Sequence, residues 1–240
     1  MIEKISNIEQ FDNFIKNDIY YIRIMSLIKA YGCNYDFVCF YRQVDERNHI
    51  TAIMSKLDND WTLCLGDKAD CDELKEFFNV IGYSTVLSDD SFKFTDIFEE
   101  GIVMSSSRKM EISSQYTEID RFPKLMELFN FVDYGTADFE SWYVDISHRI
   151  RHGCASAYTL NVNDEIISSG IFSSIYNNNA ILTAVQTSPE FRHMGYASSL
   201  VSEMLGDIKG TVYLMREMNL NEQFYIKLGF NNTGRWRMYK

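Results

Sequence analysis

The chain has 240 residues, of which 46% are hydrophobic and 24% are charged, and its net charge at pH 7 is −11. These values are typical of a globular protein with one large or two smaller domains, and they argue against a long disordered chain. The acidic balance argues against nonspecific nucleic-acid binding, which needs a basic surface. Basic residues outnumber acidic ones within 181–240, whereas acidic residues dominate the first 110. A polyanionic ligand therefore suits the C-terminal segment, and a cationic one suits the acidic remainder.

Cysteine and histidine usage gives no sign of a metal or disulfide framework. The cysteines are odd in number and lack a CxxC pair, so free thiols in a reducing compartment are expected. They are Cys33, Cys39, Cys64, Cys71 and Cys154. The N-terminus lacks the apolar run of a signal peptide, and the most apolar stretch, 19–32, contains Arg23 and Lys29. We expect a cytoplasmic protein that has no metal and does not associate with a membrane.

The first half alternates helical and strand-like patterns. A helix is expected from Ile8 to about Ala30, and another over 70–82, with Asp70 or Asp72 near its start and Gly82 at its end. The expected strands have apolar and β-branched runs separated by turn residues. They cover 37–44, 50–57, 61–65 and 83–87, with 92–97 and 101–106 leading out of this half and 105–114 as the connection.

The second half shows the same alternation of helical and strand-like patterns over a longer segment. Helices are expected over 117–132 and 139–153, and three strands follow over 155–162, 165–176 and 180–187. Asn163-Asp164 and 177–179 are typical of hairpin turns. A helix, a strand over 211–218, a short helix and a final strand around 234–240 complete a mixed α/β sheet.

Residues 75–83 align without gaps on residues 222–230, which raises the hypothesis of an internal repeat. Phe78 stands at the position of Tyr225, so a first copy lacks that hydroxyl. The alternative is that any amphipathic helix ended by glycine and followed by a strand gives the same match. The sequence leaves both readings open.

The pattern richest in chemistry lies between 185 and 208. One apolar helix face is predicted from Ala197, Leu200, Val201, Met204, Leu205 and Ile208. Directly before it stand Arg192, His193, Met194, Gly195 and Tyr196. A helix start has unpaired N–H groups and a partial positive charge, which suit phosphate. Gly195 allows close approach of an anion, Ala197 keeps the first turn small, and Ser198, Ser199 and Arg192 add donors.

This arrangement resembles the GNAT superfamily of acyl-CoA-dependent acyltransferases. The family's pyrophosphate signature (Q/R)xxGx(G/A) stands here as Arg192 to Ala197, and its preceding VxVxP strand pattern as Val185 to Pro189. The resemblance implies that Val185, Thr187 and residues 192–198 bind acetyl-CoA or another acyl-CoA. It implies pantetheine along the strand 180–187 and a backbone N–H near Val185 that polarises the thioester carbonyl.

A second signature, (F/L)Yx(K/R)xGF, stands here as Phe224 to Phe230. By resemblance, Tyr225 is the general acid that protonates the leaving thiolate. Asn219 is expected to cap this helix in a capping box with Glu222, and Gly229 to end it. The family often has an asparagine seven residues before the tyrosine, where this chain has Met218, so the expected contact of Asn219 with the cofactor is displaced by one residue.

The resemblance implies an α/β fold with a mixed sheet, in tandem: a degenerate GNAT-like domain over 1–108 and a catalytic GNAT domain over 109–240. The implied reaction is direct transfer of an acyl group, most often acetyl, to a primary amine of a small molecule or peptide. The acidic surface favours a cationic amine.

The strand 179–187 lacks the Glu that many members use as base, which supports the alternative of a noncatalytic acyl-CoA sensor. A third reading makes the N-terminal half a protein-interaction domain that delivers a protein substrate. The fold often forms homodimers, although the sequence leaves the oligomeric state open.

Overall fold

A computed structural model describes residues 1–107, 119–132, 134–135 and 137–240. The chain forms two compact units. The first contains residues 1–104, 215–220 and 232–240, and the second contains 105–214 and 221–231. The expected domain boundary at 108/109 lies outside the described residues, as does most of the connection expected over 105–114, so these boundaries stay a prediction.

The strands and helices alternate along both halves, as a mixed α/β protein requires. The strands are β1 Ile2–Lys4, β2 Val38–Val44, β3 Ile50–Leu57, β4 Asp60–Leu65, β5 Thr85–Asp89, β6 Ile97–Ser106, β7 Ile119–Asp120, β8 Ser156–Val162, β9 Glu165–Tyr176, β10 Asn179–Thr187, β11 Val212–Glu217 and β12 Asn231–Tyr239. The helices are α1 Ile19–Tyr31, α2 Cys71–Ile81, α3 Leu125–Phe131, α4 Phe139–Arg151, α5 Tyr196–Asp207 and α6 Glu222–Lys227, and short 3-10 helices cover Ile8–Phe11 and Pro189–Phe191.

The first unit is a sheet with the strand order β1-β2-β3-β4-β5-β12-β6. Strands β2, β3 and β4 form an antiparallel meander, and β4 pairs in parallel with β5 after α2. The C-terminal strand β12 lies antiparallel to β5, with Trp236 opposite Asp89. The core under α2 is aromatic, with Trp61, Phe78 and Tyr239 nearly inaccessible to solvent.

The second unit is a sheet with the strand order β11-β10-β9-β8-β7. Two-residue turns with left-handed backbone, Asn163-Asp164 and Asn177-Asn178, connect β8 to β9 and β9 to β10. These are the hairpin turns that the sequence predicted, and asparagine and aspartate tolerate this conformation well. Strand β10 pairs in parallel with β11 at Ala180 and Ile181.

Helix α5 packs on this sheet by the apolar face that its sequence predicted. Leu200, Val201, Met204, Leu205 and Ile208 are all buried. Its C-terminal half is also held by polar contacts: Asp207 accepts hydrogen bonds from Tyr158 Oη at 3.2 Å and from Arg121 Nε at 3.1 Å. The helix is therefore fixed to the sheet at one end while its N-terminal turn lies at the surface.

The two units share one order of elements, and this order corrects the repeat alignment. In the first, a helix, an antiparallel meander, α2 and a parallel strand follow one another, and the second has α4, β8 to β10, α5 and β11 in the same sequence. By position α2 thus corresponds to α5, whereas the gapless alignment of 75–83 with 222–230 places it on α6. The prediction that α2 and α6 are equivalent helices of a repeat is therefore wrong. The alignment reflects the common pattern of an amphipathic helix followed by glycine, since Gly82 and Gly229 both have positive φ.

Two expected helices begin later than predicted. The helix expected from Ile8 stops after one 3-10 turn, and α1 begins at Ile19 with the Asp18 carboxylate accepting the Tyr21 N–H at 2.8 Å. Polar residues between them favour turn conformations over helix. Residues 117 and 118 of the helix expected over 117–132 lie outside the described residues, and α3 starts at Leu125 after Pro123, because a residue before proline avoids the helical region. No helix in the described part of the chain is long and apolar enough to cross a membrane.

Two glycines near the end of α5 are expected to respond oppositely to alanine. At Gly206 an added Cβ meets nothing within 4 Å, so Gly206→Ala should stabilise the helix by about 0.5–1 kcal/mol. At Gly210 the Cβ would lie 2.5 Å from Asn179 Oδ1 and 2.7 Å from the Asn178 carbonyl oxygen, so Gly210→Ala should destabilise the protein. Urea unfolding midpoints of the two variants measure the difference, and equal midpoints would contradict this description of the α5–β11 turn.

Candidate functional site

A β-bulge interrupts β10 close to its C-terminal end. Thr183 faces Ile171 and Gln186 faces Ser169 on β9, so Ala184 and Val185 together oppose Gly170. Ala184 has a φ of 52°, in the left-handed region that alanine rarely occupies. Bulges leave a residue unpaired and bend the strand, and they are common beside active sites. The bulge places Val185, a residue of the VxVxP pattern, in the distorted part of the strand.

Two buried serines of β9 satisfy the carbonyl groups that the bulge displaces. Ser169 Oγ donates to the Ala184 carbonyl at 3.0 Å, and Ser168 Oγ lies 3.0 Å from both the Gln186 carbonyl and Thr187 Oγ1. Both serines are inaccessible to solvent. An unpaired buried carbonyl would cost about 1–3 kcal/mol, so these hydroxyls stabilise the bulged conformation.

The loop after β10 turns the chain into α5 through two left-handed residues, His193 with φ 64° and Gly195 with φ 90°. Arg192 Nε donates to the Thr187 carbonyl at 3.1 Å, which joins the loop to the end of the strand. The side chains of Arg192, His193 and Met194 are exposed. The structure therefore brings together Thr187 and the Arg192–Ala197 segment that the sequence proposed as one site.

Gly195 is the N-cap of α5, and having no side chain it offers no capping group of its own. Its carbonyl accepts the Ser199 N–H at 3.0 Å, which is the first helical bond. The N–H groups of Tyr196, Ala197 and Ser198 precede that bond, and helix geometry leaves such groups to be satisfied from outside the helical hydrogen-bond ladder. Open space surrounds the Gly195 Cα, where an added Cβ would meet nothing within 4 Å. This arrangement fits an anion.

The equivalent helix of the first unit has its N-terminus closed. The Asp70 carboxylate accepts the N–H groups of Asp72 and Glu73, each at 3.1 Å, and Gln43 Oε1 accepts the Asp70 N–H at 2.9 Å. Three carboxylates in or before the first turn also repel an anion. The same topological position thus carries a capped, acidic helix start in one unit and an uncapped one in the other.

Tyr225 lies on α6, half-buried between aromatic rings. The ring centroids of Phe224 and Phe230 are 4.9 and 5.8 Å from its own. The Phe230 N–H donates to the Tyr225 carbonyl at 3.0 Å, so the turn after α6 folds back on this residue. Burial raises the pKa of Tyr225 to about 12. Its phenol is accordingly protonated at neutral pH, as a proton donor must be.

The expected cap of α6 is wrong. The helix begins at Glu222 with Asn221 as N-cap, and Asn221 has a φ of 57°. Asn219 lies in the turn after β11, two residues before the N-cap, so it does not occupy the capping position that a capping box requires. Asn221, in the left-handed conformation, occupies the N-cap position that the sequence assigned to Asn219. A contact of Asn219 with acyl-CoA stays a prediction.

An aromatic group from α3, α4 and their connection packs on the same apolar cluster as the bulge residue Ala184. Phe129, Tyr134, Phe139 and Trp142 have neighbouring ring centroids 5.2–6.4 Å apart. Tyr134 and Trp142 pack on the same apolar cluster as Ala184. Burial raises the pKa of Tyr134 to about 12. In addition, Gln186 Nε2 donates to the Phe131 carbonyl at 2.8 Å, which ties β10 directly to α3.

Sequence reasoning missed Ser168, Ser169, Ala184 and Gln186. The signal for the serines was present but not specific, since β9 contains two pairs of adjacent serines, at 168–169 and at 173–174. The left-handed conformation of Ala184 had no local signal, because alanine in a run of strand residues predicts regular pairing. Among the described residues, no cluster of His, Cys, Asp and Glu has the arrangement of a metal site.

Known proteins with a similar sequence or fold were sought for this chain. Residues 173–239 match the family model described as FR47-like protein, and no curated protein matches the sequence. A GCN5-related N-acetyltransferase from Sphaerobacter thermophilus is similar in structure, with 11% identity, 99% of this chain and 94% of that chain covered, and a TM-score of 0.61.

Two further solved structures match along almost the whole chain. A Drosophila protein is 12% identical, with 99% of this chain and 97% of that chain covered and a TM-score of 0.68. A tandem GNAT protein from the clavulanic acid biosynthesis pathway is 9% identical, with the same coverage and a TM-score of 0.56. At such identities the likeness is one of fold. The resemblance to the GNAT superfamily and the mixed α/β fold in tandem are thereby confirmed.

The environment of Tyr225 predicts an unusual titration. In protein labelled with 13C at the tyrosine ζ carbon, the Tyr225 resonance, assigned by its loss in Tyr225→Phe, should remain that of the neutral phenol at about pH 10, where an unperturbed tyrosine is half ionised. The physical reason is that burial opposes formation of the phenolate. A midpoint near 10 would show that the phenol is solvated and would contradict the described packing.

Proposed function

We propose that this chain, which has the GNAT fold, is an N-acyltransferase that transfers an acyl group, most often acetyl, from acyl-CoA to a primary amine. The observation that carries the proposal is the uncapped N-terminal turn of α5 directly after a bulged strand. Its counterpart in the first unit is closed by Asp70. We therefore assign the chemistry to the second unit alone.

Acyl-CoA would be held first by its pyrophosphate. The N–H groups of residues 196–198 and the partial positive charge of the helix start favour a polyanion, and the Arg192 guanidinium lies in the same loop. Exposed His193 and Met194 border this loop. The pantetheine amides would lie along β10, which directs the thioester toward the bulge at Val185.

The reaction is a direct attack. The neutral amine nitrogen adds to the thioester carbonyl carbon, and the charge that develops on the carbonyl oxygen is stabilised by the Val185 N–H. When the C–S bond breaks, its electron pair stays on sulfur. The Tyr225 hydroxyl donates its proton to that sulfur and is reprotonated, through water, by the proton that the amine nitrogen loses. Free CoA and the amide are the products.

The raised pKa of Tyr225 has two consequences for this step. It keeps the phenol protonated at neutral pH, and it also makes the phenol a weaker acid. A thiolate that forms in the same apolar surroundings is raised in pKa as well, because burial disfavours its charge too. The raised pKa of the thiol partly offsets the weaker acidity of the phenol in this proton transfer.

The acceptor amine would approach from the side of the aromatic group. Trp142 and Tyr134 pack on the same cluster as Ala184, and aromatic faces attract organic cations by about 0.5–2 kcal/mol. The acidic balance of the chain attracts cations at longer range. We therefore place cationic amines with apolar or aromatic portions first among the candidates, as small molecules or as peptide side chains.

A noncatalytic acyl-CoA sensor is the second candidate. It is favoured by one observation, the absence of Asp and Glu from the sequence of β10. Without a strand carboxylate, the base that deprotonates the amine would be a water molecule held by backbone carbonyls.

A turnover screen separates the two candidates: acetyl-CoA is supplied with amino acids, polyamines, aminoglycosides and peptides, and released thiol is followed. Tight acetyl-CoA binding with no turnover on any acceptor would favour the sensor.

Gly195→Glu should abolish acetyl-CoA binding. The substitution places a carboxylate at the helix start, where it repels the pyrophosphate, and it strains a backbone that has a φ of 90°. Isothermal titration should give micromolar or tighter binding for the wild type and no heat for the variant. Gly206→Glu, the same change in an open site at the other end of α5, is the matched control and should retain binding. Equal affinity for all three proteins would remove this loop from the site.

Tyr225→Phe should lower kcat by about 10²- to 10⁴-fold, which is the usual contribution of proton donation in the transition state. The affinity for acetyl-CoA should change little, because the phenol acts on the leaving sulfur and not on the pyrophosphate. Phe224→Tyr in the Tyr225→Phe background tests whether position matters, since it returns a hydroxyl to α6 one residue away. Unchanged turnover in Tyr225→Phe would remove Tyr225 from the mechanism.

A further inference from the structure

We propose that Ser169 is a positioning residue that fixes the direction of the Val185 N–H. Its hydroxyl holds the peptide unit between Ala184 and Val185 so that the N–H points away from β9. The inference rests on the proposed function in that the Val185 N–H is the group that would meet the thioester oxygen. The orientation of the peptide is a property of the ligand-free protein and stands apart from catalysis.

The hydroxyl makes a buried hydrogen bond to a residue of unusual backbone conformation. Ser169 is inaccessible to solvent, and its Oγ donates to the Ala184 carbonyl at 3.0 Å. Ala184 occupies the left-handed region at φ 52°, which costs alanine about 1–2 kcal/mol. A hydrogen bond of about 0.5–1.5 kcal/mol that avoids a buried unpaired carbonyl offsets this cost. The bulge therefore depends on the side chain of Ser169, which faces Gln186 on the adjacent strand.

The direction of the N–H follows from the planarity of the peptide bond. In a trans peptide the C=O of one residue and the N–H of the next point in opposite directions. The Ala184 carbonyl points to Ser169 on β9, so the Val185 N–H points to the other side. If the carbonyl were released, the peptide could rotate and pair its N–H with β9, as in a regular ladder.

A second hydroxyl holds the other side of Val185. Ser168 Oγ donates to the Gln186 carbonyl at 3.0 Å, so the carbonyls on both sides of residue 185 are bound to β9 side chains. The next residue of β9, Gly170, is packed so closely by α5 that an added Cβ would lie 2.6 Å from Met204 Sδ. The strand segment 168–170 therefore contacts the bulge through Ser168 and Ser169 and packs closely against α5 at Gly170, and the start of α5 is the proposed anion site.

The test compares Ser169→Ala with two matched variants. Ser169→Thr keeps the hydroxyl, and Ser174→Ala removes an equally buried serine of β9 that lies opposite Ile181, outside the bulge. The first measurement is the carbonyl 13C resonance of Ala184 in the free protein. It should shift in Ser169→Ala as the hydrogen bond is lost and stay near the wild-type value in the other two.

The second measurement is the affinity for acetyl-CoA and for CoA by titration. Ser169→Ala should weaken acetyl-CoA about 3- to 10-fold, the value of one hydrogen bond, and leave CoA unchanged, because CoA has no thioester carbonyl. Ser169→Thr should restore the acetyl-CoA affinity. An equal loss for both ligands would show a merely structural role and overturn the proposal, as would an unchanged Ala184 resonance.

The failure of the proposed function has a different signature. If the wild type bound neither acetyl-CoA nor CoA, the proposed function would fall, and the Ala184 resonance would still decide whether Ser169 holds the peptide. If acetyl-CoA bound and the resonance shifted while its affinity stayed constant, the hydroxyl would hold a peptide that the thioester does not use, which overturns the inference and leaves the proposed function intact.

Discussion

The geometry of the second unit depends on a left-handed alanine within a β-strand. Ala184 interrupts the pairing of β10 with β9. Two buried serines donate hydrogen bonds to the backbone carbonyls of the residues on either side of Val185, which would otherwise be unpaired. A bulge of this kind separates the strand into two parts with different tasks. The first part, from Asn179, pairs in parallel with β11. The second part ends at Thr187, whose carbonyl accepts a hydrogen bond from Arg192 Nε.

The candidate anion site at the start of α5 is explained by how the rest of this helix is held. Its apolar face and the contacts of Asp207 with Tyr158 and Arg121 secure the helix along the sheet, so its first turn has no structural task to perform. Gly195 then begins the helix without a capping side chain. A helix start is usually capped by Ser, Thr, Asp or Asn, and a start that has glycine at the N-cap instead favours an acceptor from outside the helix.

The two units show how one topology separates into a structural and a candidate functional role. Both have a meander followed by a helix and a parallel strand, yet α2 is capped by Asp70 and buttressed by Gln43, while α5 is uncapped. The difference lies in a few residues at the helix start and not in the fold. This is why likeness of fold over 99% of the chain leaves the activity to be argued from the site.

The sequence by itself determined the strands β8 to β10, the apolar face of α5 and the Arg192–Ala197 loop, because their periodicity and glycine placement are local properties. It also led to the GNAT resemblance. It misplaced the start of α6 at Asn219 and the equivalence of α2, since both depend on which elements are neighbours in space. Only the tertiary structure decided the conformation of Ala184 and the partners of Ser168 and Ser169. A hydrogen bond between residues 15 to 18 positions apart has no signature in local pattern, because the strand pairing that brings the two residues together is itself set by the packing of the whole sheet.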